Sequence, residues 1–131
     1  MAHLDAHLDA DVAVILEEDR PGTLAKVLGC VSRAGINIDG YAEIGGVVHV
    51  LSPERRRAHA CLEQAGFRIV QEHQVVVVSV ADEPGAAAHV FQRLAESHIN
   101  IKYSYLATRN RLVIAANDAE AAITALTRLD P

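Results

Sequence analysis

The sequence predicts an α+β fold built twice in one chain, each copy a split βαββαβ unit with an antiparallel sheet and both helices on one face. Three observations carry this. Asp19-Arg20-Pro21-Gly22 followed by Ile36-Asn37-Ile38 returns as Asp82-Glu83-Pro84-Gly85 followed by Ile99-Asn100-Ile101, at a constant offset of 63 residues (84 − 21 and 100 − 37). The preceding apolar runs align under the same offset, Val12-Ala13-Val14-Ile15 on Val75-Val76-Val77-Val78. The hydrophobic period also switches between helical and strand spacing in the same order in both copies.

Residues 1–10 read Met-Ala-His-Leu-Asp-Ala-His-Leu-Asp-Ala and are expected to be a flexible leader or a short extension on the surface. On a helix His3 and His7, with Asp5 and Asp9, would have metal-ligand spacing, but no metal site is assigned there. The first unit spans 11–73. Val12 to Leu16 is a β-branched run for a buried strand, and Pro21-Gly22 turns the chain into a helix that Thr23 would cap. Leu24, Val27, Leu28 and Val31 form its apolar stripe, and Gly35 ends it. Ile36 to Ile44 alternates with period two, with Ile36, Ile38, Ala42 and Ile44 on one side; Gly45-Gly46 signals a hairpin to Val47–Leu51. A helix follows from Ser52-Pro53 to Gln64, then a strand from Phe67 to Glu72.

The second unit spans 74–131: a strand over Val75–Ala81, a helix carrying Val90, Phe91 and Leu94 inward, and strands over Ile99–Ala107 and Leu112–Ala116. Asp118 caps a last helix with Ala119, Ala122, Ile123, Leu126 and Leu129 at core positions. This unit is one strand short of the ferredoxin-like order. Its first strand should therefore expose an unpaired apolar edge, to be covered by residues 1–10 or by another chain, and a homodimer is expected.

With 131 residues, half of them apolar, the chain can bury a core, but each unit alone is marginal and should pack against another. Twelve Lys+Arg against 17 Asp+Glu, net −5, argue against nonspecific nucleic-acid binding. Arg55-Arg56-Arg57 reads as a solvated helix face rather than a phosphate site. Cys30 and Cys61 read as buried small apolar residues. No signal peptide or membrane span is present, so a cytoplasmic protein with no membrane partner is expected.

A strand ending in Asp19-x-Pro-Gly-Thr-Leu, a helix, then Gly35-Ile-Asn-Ile, repeated as Asp82-x-Pro-Gly with Ile99-Asn-Ile, resembles the ACT domain. That is a small ligand-binding module found on enzymes of amino-acid metabolism and in stand-alone tandem regulators. The resemblance covers nearly all of 12–129. It implies a free amino acid bound at the junction between two units, regulation of an enzyme of amino-acid or related metabolism, and no cofactor. The ligand-binding residues so implied are Asp19, Arg20, Gly22, Thr23, Leu24, Asn37 and Ile38, with Asp82, Gly85, Ala86, Asn100 and Ile101 in the second copy.

These residue types suit a zwitterion. Asp19 would hold the ammonium, backbone N–H groups at a helix start the carboxylate, and Asn37 either end. The plain alternative has Asp19 and Asp82 capping helices and the two Asn completing strand edges. The copies also differ. Gly35, read as keeping space clear, is His98 in the second, which looks modified toward packing. No nucleophile–base pair, paired carboxylates or nucleotide motif is present, so no catalytic residue is assigned and a non-catalytic regulator is expected. The competing reading is a pure protein–protein assembly module.

Overall fold

A computed structural model describes residues 4–18 and 20–128. Asp19, the proposed ammonium ligand, therefore lies outside the described residues, as do His3 and Leu129. The elements are β1 (Ala6–Ile15), α1 (Thr23–Arg33), β2 (Gly40–Ile44), β3 (Val47–Leu51), α2 (Arg55–Gln64), β4 (Arg68–Ile69), β5 (His73–Ser79), α3 (Ala86–Glu96), β6 (Ile101–Ala107), β7 (Arg111–Ala116) and α4 (Ala119–Thr127).

The chain forms two compact units, Ala10–His73 and a second that joins 74–128 to the residues before Ala10. In the first, β1 pairs antiparallel with β3 and with β4, and β2 with β3, giving the order β4-β1-β3-β2. This is the split-βαβ order, in which consecutive strands are separated so that each helix crosses one face. Val12, Val14, Val48 and Val50 alternate onto that face and pack with Val27 and Val31 of α1 and Ala58 and Leu62 of α2. In the second unit β5 pairs with β7 and β7 with β6, and Val76, Val78 and Ile114 pack with Val90 and Leu94 of α3 and Ala122 and Leu126 of α4.

Residues 4–9 are not a flexible leader but take the other role expected of this stretch, covering the first strand of the second unit. Ala6–Ala10 form the first half of β1, and 4–9 serve the second unit. Ser79 N–H donates to Asp5 C=O (2.9 Å), Leu4 N–H donates to Leu126 C=O (2.9 Å), and Leu4, Ala6 and Leu8 pack on the β5–α3–α4 core. The strand missing from the end of the second copy is thus supplied from its own amino-terminal side. His7 and Asp9 lie in β1 and Asp5 just before it, so they do not have the helical spacing that a metal reading there assumed.

Three helices end alike. After α1, Gly35 N–H donates to Ser32 C=O (3.0 Å) and Ile36 N–H to Val31 C=O (3.3 Å). The same pair of bonds follows α2 at Gly66 and Phe67, and α3 at His98 and Ile99. This is the Schellman motif, which places its middle residue in the left-handed region. Gly35 and Gly66 have φ 76° and 90°, whereas His98 has φ 58°. Gly35 was read as keeping space clear, but a Cβ there would meet nothing within 4 Å. The backbone angle, not crowding, calls for glycine. We therefore expect Gly35→Ala to cost about 1–2 kcal/mol and His98→Gly to stabilise by about 0.5–1 kcal/mol, read as opposite shifts of the urea midpoint.

Other boundaries shift for identifiable reasons. β2 begins at Gly40 rather than Ile36, because Ser52 Oγ donates to Asn37 C=O (2.7 Å) and holds the chain off the ladder until Asp39 N–H reaches Leu51 C=O (2.9 Å). Ile36 and Ile38 pack into the helix-side core, while Ala42 and Ile44, paired with His49 and Val47, lie on the opposite face. The four are therefore not on one side as their alternation suggested. β4 is two residues, far shorter than the span read from Phe67 to Glu72.

Candidate functional site

β1 leaves the core at Ile15 and the chain turns through Pro21-Gly22 into α1. Gly22, with φ 92°, is the N-cap of α1, and no side chain caps the helix. Thr23 is the first helical residue and its hydroxyl donates to Arg20 C=O (3.0 Å), so it is not the cap expected. Gly85 repeats this at α3 with φ 86° and again no side-chain cap. The reading of Asp82 as a helix cap is thus overturned; Asp82 is exposed beside the turn. Asp118 does cap α4, accepting from Ala121 N–H at 3.0 Å.

A cavity of about 210 Å³ lies at this end of the first unit. Ile15, Leu16 and Phe67 supply its apolar lining. Glu17 and Glu18 bring negative charge, and Lys26 and Arg68 positive charge, with Thr23 between β1 and α1. The sequence supplies each part locally. β1 ends in an acidic run, one turn of α1 carries Thr23 to Lys26, and the Gly66 turn brings Phe67 and Arg68 alongside Ile15, to which Arg68 pairs. A second cavity, of about 290 Å³, shares Leu16 and Glu18 and adds Glu43 and Gly46. Exposed Glu18 also forms an ion pair with Arg20.

Of the expected site residues, Arg20, Gly22, Thr23 and Leu24 cluster at this end, and Thr23 lines the cavity. Asn37 and Ile38 do not join them. α1 has 11 residues, and at 1.5 Å per residue it separates Gly22 from Asn37 by about 16 Å. The Asn37 amide donates instead to Asp39 Oδ1 (2.6 Å). The second copy repeats the separation, with Asp82, Gly85 and Ala86 before α3 and Asn100 and Ile101 after it. Asn100 C=O accepts from Asn117 N–H (3.0 Å), and Asn100 N–H donates to Asn117 Oδ1 (3.2 Å). Lys26, Phe67 and Arg68 were missed; Lys26 stands one turn into α1 from Thr23, whereas Phe67 and Arg68 reach the Pro-Gly turn only through the β1–β4 pairing.

The other polar groups singled out are accounted for locally. Arg55 pairs with Glu72 (3.1 Å), and Arg57 pairs with Glu54 and donates to Ala34 C=O (3.1 Å). Two of the three clustered guanidiniums are thus spent within the unit. Cys30 and Cys61 face each other between α1 and α2 with sulfurs 3.2 Å apart, and both are free thiols. Burial, and then the neighbouring Cys61, push the Cys30 thiol up from its ordinary pKa. Tyr103 and Tyr105 are half-buried and stack on each other, ring centroids 6.2 Å apart. No helix among the described residues is long and apolar enough to cross a membrane.

Two split-βαβ units in one chain, each opened by a glycine-capped helix after a Pro-Gly turn, define a tandem module of the ferredoxin-like class. The family model described as an ACT domain pair matches residues 10–128, and the chain belongs to that family. No curated protein matches it. A solved structure of a protein from Bacteroides thetaiotaomicron is similar with a TM-score of 0.81 at 23% identity, over 92% of this chain and 88% of that one. The regulatory subunit of aspartate kinase from Thermus thermophilus, in a ligand-free form, is similar with a TM-score of 0.64 at 24% identity, over 96% of each chain. The corresponding subunit from Thermus flavus gives 0.59 at 23% identity, over 96% of this chain and 97% of that one. At these identities the likeness is one of fold.

Proposed function

We propose that the protein is a non-catalytic cytoplasmic regulator that binds a free amino acid in the first-unit cavity and signals its occupancy to an enzyme of amino-acid or related metabolism. The observation that carries this is the cavity's lining, which sets carboxylates and cations around an apolar patch in about 210 Å³. Small-molecule sites run to about 300–1,000 Å³ for drug-sized ligands, so this one suits a smaller molecule. A zwitterion needs both signs of charge within a few ångström. Glu17 and Glu18 would hold the ammonium, Lys26 and Arg68 the carboxylate, and Ile15, Leu16 and Phe67 the side chain. Gly22, Thr23 and Leu24 stay in the proposal as the helix start against which the carboxylate rests. The fold shared with aspartate kinase regulatory subunits supports regulation as the class.

Calorimetric titration against the twenty amino acids tests this. One of them is expected to give saturable heat, weakened at least about tenfold by Lys26→Glu, which reverses one charge contact. Asn100→Ala, in the second unit, should bind as the parent does. Silence across all twenty would sink the amino-acid reading and favour the assembly module, for which the exposed Tyr41, Ile44 and Leu106 speak. The homodimer expected from an open β5 edge loses that cause, because Asp5 already bonds Ser79 there. Sedimentation at micromolar concentration decides between one chain and two.

A further inference from the structure

Asp11, His49 and His73 converge within the first unit, each offering a ligand atom within 4.8 Å of the others. Topology assembles them from three separate segments. Ala13 pairs with His49 across β1 and β3, so Asp11, two residues before Ala13, lies diagonal to His49 on the sheet face away from α1 and α2. Val70 N–H donates to Ala13 C=O (2.9 Å), which sends the chain leaving β4 back along β1 and delivers His73 beside Asp11.

The Asp11 side chain is fully buried, His49 is 6% exposed and His73 is 37% exposed. His49 Nδ1 lies 3.4 Å from Asp11 Oδ2, and His73 Nδ1 lies 3.8 Å from Asp11 Oδ1. The imidazoles are tilted by 57° with centroids 5.3 Å apart. N–H···O bonds cluster at about 2.7–3.2 Å, shorter than either separation. Ligand atoms about 2.0–2.1 Å from a tetrahedral ion stand about 3.4 Å from one another, which is the His49–Asp11 spacing. His73, the most exposed of the three, has room to shift toward the other two.

We propose that Asp11, His49 and His73 bind one divalent transition-metal ion of the zinc type. Two imidazoles and a carboxylate are borderline donors suited to such ions rather than to magnesium or calcium, which prefer oxygen alone. Three protein ligands leave a coordination position open on the His73 side. None of the three lines the first-unit cavity, so the site stands whether or not an amino acid binds.

The test uses the full chain without a polyhistidine tag, stripped with chelator and titrated with Co²⁺ as a visible-absorption probe, then with Zn²⁺ to displace it. One Co²⁺ per chain and its displacement by Zn²⁺ are expected. His73→Ala should weaken binding at least about 100-fold, beyond the about 10–100-fold that losing even an outer-sphere partner costs. Its metal-free thermal midpoint, expected to match the parent's, checks that the fold survives, and Asp11→Asn provides a second, near-isosteric loss of a ligand. His7→Ala should bind as the parent does. The proposal is overturned by absence of stoichiometric binding, by unchanged affinity in His73→Ala, or by loss of binding in His7→Ala, which would place the ion on the amino-terminal strand.

Discussion

A chain that starts at Ala10 is expected to lose about 4–5 kcal/mol of stability from its second unit while the first unit holds. Leu4 and Leu8 are half-buried against the β5–α3–α4 core, and full burial of a leucine is worth about 1.5–3 kcal/mol, so together they contribute about 2–3. Two backbone bonds, Ser79 to Asp5 and Leu4 to Leu126, add about 1 kcal/mol each. The truncation also bares β5, whose Val75–Val78 are buried in the intact chain, as an open apolar edge. Urea unfolding should split into two transitions, and sedimentation should show association at micromolar concentration. A peptide of residues 1–10 added in trans should reverse both. An unchanged single transition would mean that the amino-terminal strand contributes nothing to the second unit.

The second large effect concerns Arg93, a charged residue only 7% exposed on an otherwise apolar face of α3. Its guanidinium donates to Ala125 C=O (2.9 Å), in the last turn of α4, and to Arg128 C=O (2.8 Å), at its C-cap. Those acceptors have no partner within their own helix, and a cation there also meets the negative end of the helix dipole. Arg93→Met keeps the apolar stem and removes both bonds. It should cost about 2–4 kcal/mol in urea unfolding, the range for charged hydrogen bonds whose buried acceptors are left behind. A loss under about 1 kcal/mol would show that water replaces the guanidinium freely.

Legibility followed sequence distance. The Pro-Gly turns, the valine-rich strands and the Asp118 cap were readable because each is decided within a few residues. Even there, one reading failed on its cause. Gly35 is required by a left-handed Schellman position, and His98 occupies the same position at a strain that spacing alone could not reveal. The candidate cavity was half legible. Gly22, Thr23 and Leu24 adjoin the Pro-Gly turn and Lys26 follows within one turn of α1, but Arg68 counts only because β4 pairs with β1. Asn37, adjacent to the motif in pattern, lies a full helix away in space.

By itself the sequence determined the duplication, the βαββαβ order of the first copy and the faces of its helices, since hydrophobic period and turn chemistry act locally. Only the tertiary structure decided that residues 4–9 complete the second unit, that Arg93 closes α4, and that Asp11, His49 and His73 meet. Each depends on strand pairing or helix packing between residues dozens of positions apart. Such contacts are chosen by burial of the whole sheet, and no local pattern encodes them.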